Sequence, residues 1–162
     1  MSGDDADLAA ALEAALGAGP VSGLRRLSGG ASRETFSFAA GERPLILQRQ
    51  RPGALRSGMA REVAVLRAAH AEGVPVPVVV AEGDGRDALG RPWMVVSHVE
   101  GETIARKILR DEPYAAALPL LAGQCGVALA RIHRIPVGAV PGLDESDQVA
   151  QFRATLDGVG EP

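Results

Sequence analysis

The chain has 162 residues, 46% of them hydrophobic and 23% charged, with a net charge of -3. That composition excludes a disordered polar chain and gives no polybasic footprint for a nucleic acid. Cys125 is the only cysteine, which excludes an intramolecular disulfide and a cysteine zinc cluster.

The N-terminal Met1-Ser2-Gly3-Asp4-Asp5 is acidic and does not read as a signal peptide. No apolar run approaches the length of a membrane span. The expectation is a soluble cytoplasmic protein with neither membrane nor nucleic acid as partner. Asp4 or Asp5 can cap a helix that runs to about Gly17, with Leu8, Leu12 and Leu16 on one face. Gly17, Gly19 and Pro20 stop it. Val21 to Leu27 reads as a strand. Glu34 to Ala40 alternates, with Phe36 and Phe38 on one side, and reads as a second. Gly41-Glu42 is a turn. A third strand opens at Leu45 and continues to Gln50, where Pro52-Gly53 ends it.

A helix is expected from Ser57 or Gly58 to about Glu72, with Val63, Leu66 and either Ala69 or His70 facing inward, closed by Gly73. Val74-Pro75-Val76-Pro77 is too proline-rich for a central strand. Val78 to Ala81 is a short strand, residues 84–90 a loop, and Trp93 to Val99 a buried strand broken by Gly101. Hairpin-length links argue for a five-stranded antiparallel sheet with one helix inserted after the third strand, an α+β fold.

Beyond Gly101 the composition turns helical. Thr103 to Arg110 reads as a short helix. Asp111 caps the next, which reaches His133 and is kinked or split at Pro119. Its stripe of Tyr114, Leu118, Leu121, Cys125, Leu129 and Ile132 is flanked by further apolar residues, so burial all round is expected, with Cys125 inside. Only one further helix, Asp144 to about Leu156, is available, and it is mostly polar. The expectation is a sequence that stops partway through a second, helical unit, with helix 113–133 exposed and prone to self-association. The organisation expected is an N-terminal helix over 1–20, a sheet unit over 21–100, and the first helices of an incomplete lobe over 101–162.

Three stretches can carry chemistry. The first is Ser28-Gly29-Gly30-Ala31-Ser32, between two strands. Its glycines allow close backbone approach, consecutive N–H groups can form an anion nest, and the serines add hydroxyl donors. An ordinary hairpin turn explains the glycines equally well. The second is a cation on the third strand with a carboxylate on the following helix: Arg49 and Glu62. An exposed arginine and a solvated glutamate are the plainer account. The third is Ser97-His98-Val99, where a buried strand leaves the sheet and backbone groups could meet an adenine edge; an ordinary strand end would look the same. Arginines concentrated between Arg25 and Arg61 of an acidic chain suit a small anionic ligand.

Taken in order, the Ser-Gly-Gly-x-Ser tip, the arginine-bearing third strand, Arg61-Glu62, Val74-Pro75-Val76-Pro77, Val95-Val96-Ser97-His98-Val99-Glu100-Gly101 and Leu129-Ala130-Arg131-Ile132-His133 resemble the aminoglycoside phosphotransferase family of the protein-kinase-like fold. The branch most similar contains the kinase-like domains associated with acyl-CoA dehydrogenases. The resemblance implies a kinase-like N-lobe followed by part of a helical C-lobe, with ATP and Mg2+ as cofactors and a small hydroxyl-bearing substrate. It makes residues 28–32 the phosphate-covering loop, Glu62 the helix carboxylate, and Ser97 to Val99 the hinge, with the Ser97 carbonyl and the Val99 N–H on adenine. The family's third-strand pattern is apolar-apolar-Arg-Arg, and the first arginine position is Gln48 here. Either Gln48 or Arg49 faces the phosphates, since alternation forbids both. Arg33 stands where the family often has asparagine.

The resemblance also implies a His-Gly-Asp catalytic loop. None of His70, His98 and His133 is followed by Gly-Asp. No catalytic residue is therefore expected in this chain, and the metal ligands are expected outside it. Two other readings stand beside the kinase: a non-catalytic nucleotide-binding or regulatory module, and a plain α/β interaction domain.

Overall fold

The computed structural model describes residues 3–27, 32–53, 58–143 and 146–159. The elements follow the expected order. Helix α1 (Gly3–Leu16) precedes strands β1 (Val21–Arg26), β2 (Arg33–Ala40) and β3 (Arg43–Gln50). Helix α2 (Met59–Ala71) is inserted before β4 (Val79–Gly83) and β5 (Trp93–Ser97). Helices α3 (Ala105–Arg110), α4 (Leu118–Ile132) and α5 (Gln148–Val159) complete the chain, with 3-10 turns at Glu112–Tyr114 and Val137–Ala139.

The five strands form one antiparallel sheet in the order β1-β2-β3-β5-β4. β2 and β3 are joined by Gly41-Glu42, with Ala40 opposite Arg43. Gly41 takes φ of 60°, at the first central position of the loop, where a side chain would be strained. Strand alternation then sorts the core into two layers. Phe36, Phe38, Leu45, Leu47, Trp93 and Val95 meet Leu8 and Leu12 of α1 on one face. Met94 and Val96, with Ile46 and Val79 behind them, meet Met59, Val63 and Leu66 of α2 on the other. Trp93-Met94-Val95-Val96 is apolar without a break because β5 is covered on both faces. Leu12 and Leu47 are fully buried, each contributing about 1.5–3 kcal/mol.

On α2 the inward residue is Ala69; His70 is exposed. Residues 74–77 stay out of the sheet, because proline has no N–H for the ladder and the Val76 N–H folds back on the Val74 carbonyl at 2.8 Å. β5 ends at Ser97, two residues earlier than expected.

The helices after residue 101 depart further. α3 starts at Ala105 rather than Thr103, because Ile104 has extended backbone angles (φ -85°, ψ 105°); Glu102 Oε1 accepts the N–H groups of Thr103 and Ile104 ahead of it, at 2.9 Å each. The helix expected from Asp111 to His133, kinked or split at Pro119, is indeed split there. Pro119 lies in the first turn of α4, where its missing N–H is harmless, so the helix restarts there. Asp111 flanks the preceding 3-10 turn, but its side chain caps nothing. The last helix begins at Gln148 rather than Asp144, and Asp147 Oδ1 caps it by accepting the N–H groups of Val149 and Ala150 at 2.9 and 3.1 Å. Cys125 is exposed, contrary to expectation, because no described element covers its face of α4. α4 is tied to the end of α2 by Arg131 Nη1, which donates to the Gly73 carbonyl. No described helix is long and apolar enough to cross a membrane.

Candidate functional site

The face of the sheet that α2 covers carries the polar residues of interest. Phe36 and Phe38 point to the α1 face, so Arg33, Thr35 and Ser37 point to the α2 face. Leu45 and Leu47 likewise send Pro44, Ile46 and Gln48 to that side. Gln48 therefore faces α2, and Arg49 does not.

A three-residue cluster forms where β2, β3 and α2 converge. Arg33 Nη1 donates to Gln48 Oε1 at 3.0 Å, and Arg33 Nη2 is ion-paired with Glu62 Oε2. Arg33 is 29% and Glu62 36% exposed at the side chain, so the cluster stays within reach of solvent. Two backbone bonds fasten its surroundings: the Leu27 N–H reaches the Thr35 carbonyl at 2.8 Å, and the Arg51 N–H reaches the Ser32 carbonyl at 3.0 Å. Ser32 is exposed and lies at a bend beside the cluster. Ser28, Gly29, Gly30 and Ala31, the remainder of the expected phosphate-covering tip, lie outside the described residues.

The Arg49–Glu62 pair expected from the sequence is not made. Arg49 lies on the α1 face, where Nε and Nη2 both donate to Glu34 Oε2, at 3.2 and 3.0 Å. The Arg49 guanidinium lies 6.0 Å from the centre of the Phe36 ring, on that same face. The partner of Glu62 is Arg33. The sequence marks Arg33 as one of the arginines clustered between Arg25 and Arg61 and as a departure from a family pattern, without pairing it with Glu62. Its shared parity with Gln48 across the β2–β3 hairpin was the signal that could have found it.

At the other end of the same face is a cleft of about 380 Å³, lined by Gly23, Arg25, Ser37, Pro44, His98 and Glu100, among others. Pro44 and Gln48 are separated by about 13 Å along β3. The expected hinge borders this cleft. The His98 N–H donates to the Pro44 carbonyl at 3.1 Å, while the Ser97 N–H turns the other way, to the Val78 carbonyl at 2.9 Å. Ser97 Oγ also accepts the Val78 N–H at 2.9 Å, so the point where the chain leaves the sheet is held from both sides. Val99 is beyond the strand and exposed. Among the described residues no group of three or more His, Cys, Asp or Glu side chains could hold a metal ion.

Comparison with known proteins agrees with the architecture. The model of the phosphotransferase enzyme family (APH) matches residues 23–159. A crystal structure from Ralstonia eutropha JMP134, described as a candidate aminoglycoside phosphotransferase, superposes with a TM-score of 0.69 at 19% identity, over 97% of this chain and 48% of that one. The aminoglycoside phosphotransferase APH(4)-Ia superposes with a TM-score of 0.58 at 22% identity, over 81% of this chain and 40% of that one. A thermostable mutant of APH(4)-Ia, crystallised as a ternary complex with ADP and hygromycin B, gives a TM-score of 0.57 at 22% identity, over 82% of this chain and 40% of that one. At these identities the likeness establishes the fold. This chain spans about half or less of the length of these structures. No curated protein sequence matches it.

Proposed function

This chain belongs to the phosphotransferase enzyme family, and from that premise we propose that it is the nucleotide-binding portion of an ATP-dependent kinase acting on the hydroxyl group of a small molecule. The observation that carries the reading is the placement of an arginine–carboxylate pair and an open cleft on one face of the sheet, at opposite ends. The cleft takes the adenine, with the Ser97 carbonyl and the Val99 N–H as its polar edge. Residues 28–32 cover the phosphates, whose charge is met near Glu62. The complexes of APH(4)-Ia variants with ADP or AMP-PNP and hygromycin B support a nucleotide and a hydroxyl-bearing second substrate.

Phosphoryl transfer rests on positioning, a metal-stabilised charge and a residue that orients the attacking hydroxyl. This chain carries no His-Gly-Asp sequence. Mg2+ is assigned here to the nucleotide phosphates and to no described residue of the chain. The proposal is therefore binding without useful turnover by this chain alone. ATP should raise the unfolding temperature with the logarithm of its excess over Kd, by a stabilisation of about 2.7 kcal/mol at a hundredfold excess. Absence of any ATP-dependent shift would rule out the nucleotide site. Robust Mg2+-dependent phosphate transfer by this chain would rule out its catalytic incompleteness.

A second reading, a nucleotide-binding or regulatory module without catalysis, is favoured by one observation: the β3 residue beside Arg33 and Glu62 is the neutral Gln48.

A further inference from the structure

A nucleotide on the α2 face would bring concentrated negative charge to the Glu62 end of the sheet, and something must meet it. β3 does not supply that charge. Its residue beside the cluster is Gln48, and Arg49 is committed to Glu34 on the opposite face. We propose that Arg33, from the start of β2, is the cation that contacts the nucleotide phosphates, with Glu62 and Gln48 positioning its guanidinium. This rests on the nucleotide reading above and adds the residue on which phosphate affinity depends.

Three features support the assignment. Arg33 adjoins the exposed Ser32 and its own side chain is 29% exposed, so an anion can reach the guanidinium from solvent. A guanidinium carries five N–H donors in a planar fork, so one bond to Gln48 and one pair with Glu62 do not exhaust it. The fork also suits phosphate oxygens better than a point charge does. Gln48 completes the logic. Its amide oxygen accepts from Arg33 at 3.0 Å, whereas a cation at 48 would be repelled by Arg33. Arginine at 33 and a neutral acceptor at 48 are mutually compatible, and the positive charge has moved one strand over without leaving the carboxylate that orients it.

The test is calorimetric titration of the whole chain with ATP, ADP and adenosine. Arg33→Ala should weaken ATP and ADP binding about ten- to a hundredfold, the size of a lost charge-assisted contact, and leave adenosine binding unchanged. Arg49→Ala should leave all three unchanged. The double variant Arg33→Asn/Gln48→Arg returns the cation to β3 and should recover most of the ATP affinity lost in Arg33→Asn. ATP binding undiminished in Arg33→Ala, or ATP and adenosine affinities falling together, would overturn the assignment while leaving the nucleotide site standing. Should Arg33→Ala not fold, Arg33→Lys and the double variant decide the same question. A wild-type chain that binds none of the three ligands would instead remove the nucleotide reading itself, and this inference with it.

Discussion

Arg49 and Glu34 are opposite one another in the β2–β3 register, and both nitrogens of the Arg49 fork reach the same carboxylate oxygen, Glu34 Oε2. Arg91 joins at 3.1 Å and Arg26 at 3.4 Å, so one carboxylate holds three guanidinium groups together. Glu34, Arg49 and Arg91 are mostly buried. Glu34→Ala would leave like charges facing each other out of full contact with water. It should destabilise the fold by about 3 kcal/mol, the cost of stranding buried charge, read as a lower denaturant midpoint.

A second anchor lies under β5. The Trp93 indole N–H donates to Asp87 Oδ2 at 2.7 Å, and Asp87 Oδ1 accepts the Leu89 N–H at 2.9 Å. Asp87→Ala removes the partner of a buried donor and should cost about 1–3 kcal/mol.

Gly83 passes so close to this anchor that a Cβ there would lie 2.3 Å from Trp93 Nε1 and 2.5 Å from Asp87 Oδ2. Gly83→Ala should therefore lower stability by about 1–3 kcal/mol, the usual range for overpacking. Thermal unfolding of the variant beside wild type would measure it; an unchanged midpoint would contradict the contact.

The start of α3 should respond to pH at both extremes. The hydrogen bond from Lys107, followed by the Ile104 N–H, holds Glu102 below its ordinary value, and Glu102 in turn raises Lys107. A depressed carboxylate stabilises the fold above its unfolded pKa, and that contribution is lost as pH falls through the lowered value. A raised lysine stabilises below its unfolded pKa, and its contribution is lost as pH climbs through the raised value. The clasp is complete between the two. Amide exchange at Thr103 and Ile104 should accelerate in acid beyond the intrinsic rate, and Glu102→Gln should remove that dependence. The clasp holds only the start of α3, with Lys107 exposed and Glu102 largely covered, so the global midpoint should scarcely move.

The exposed side chains of α4 supply a fifth test. Leu120, Val127 and Leu129 are each more than half exposed. The chain should associate as its concentration rises, and Val127→Glu should reduce that association without lowering the unfolding temperature, as sedimentation and thermal melts would report. Cys125 should react with a thiol reagent in the folded monomer. A chain that stays monomeric at high concentration would count against α4 as an associating face.

The strands, their order and the inserted helix could be read from the residues because a strand's period of two and a helix's cap are local properties of the chain. Phe36 with Phe38, Leu45 with Leu47, and Gly41-Glu42 were enough to set the β2–β3 hairpin. Local pattern failed where the competing partner was distant or merely adjacent in space. Ile104 stays extended beside the Glu102 carboxylate, so the helix expected from Thr103 starts later, and nothing among the described residues packs over Cys125. The candidate site shows the same divide. Alternation states that positions 48 and 49 face opposite ways, but not which face α2 covers. Packing of Val63 against Met94 and Val96 decides that, and it is decided by contacts far apart in sequence. Through that packing Glu62 meets Arg33 rather than Arg49. The residue types needed for an arginine–carboxylate pair were visible in the chain; the choice of arginine belonged to the tertiary fold.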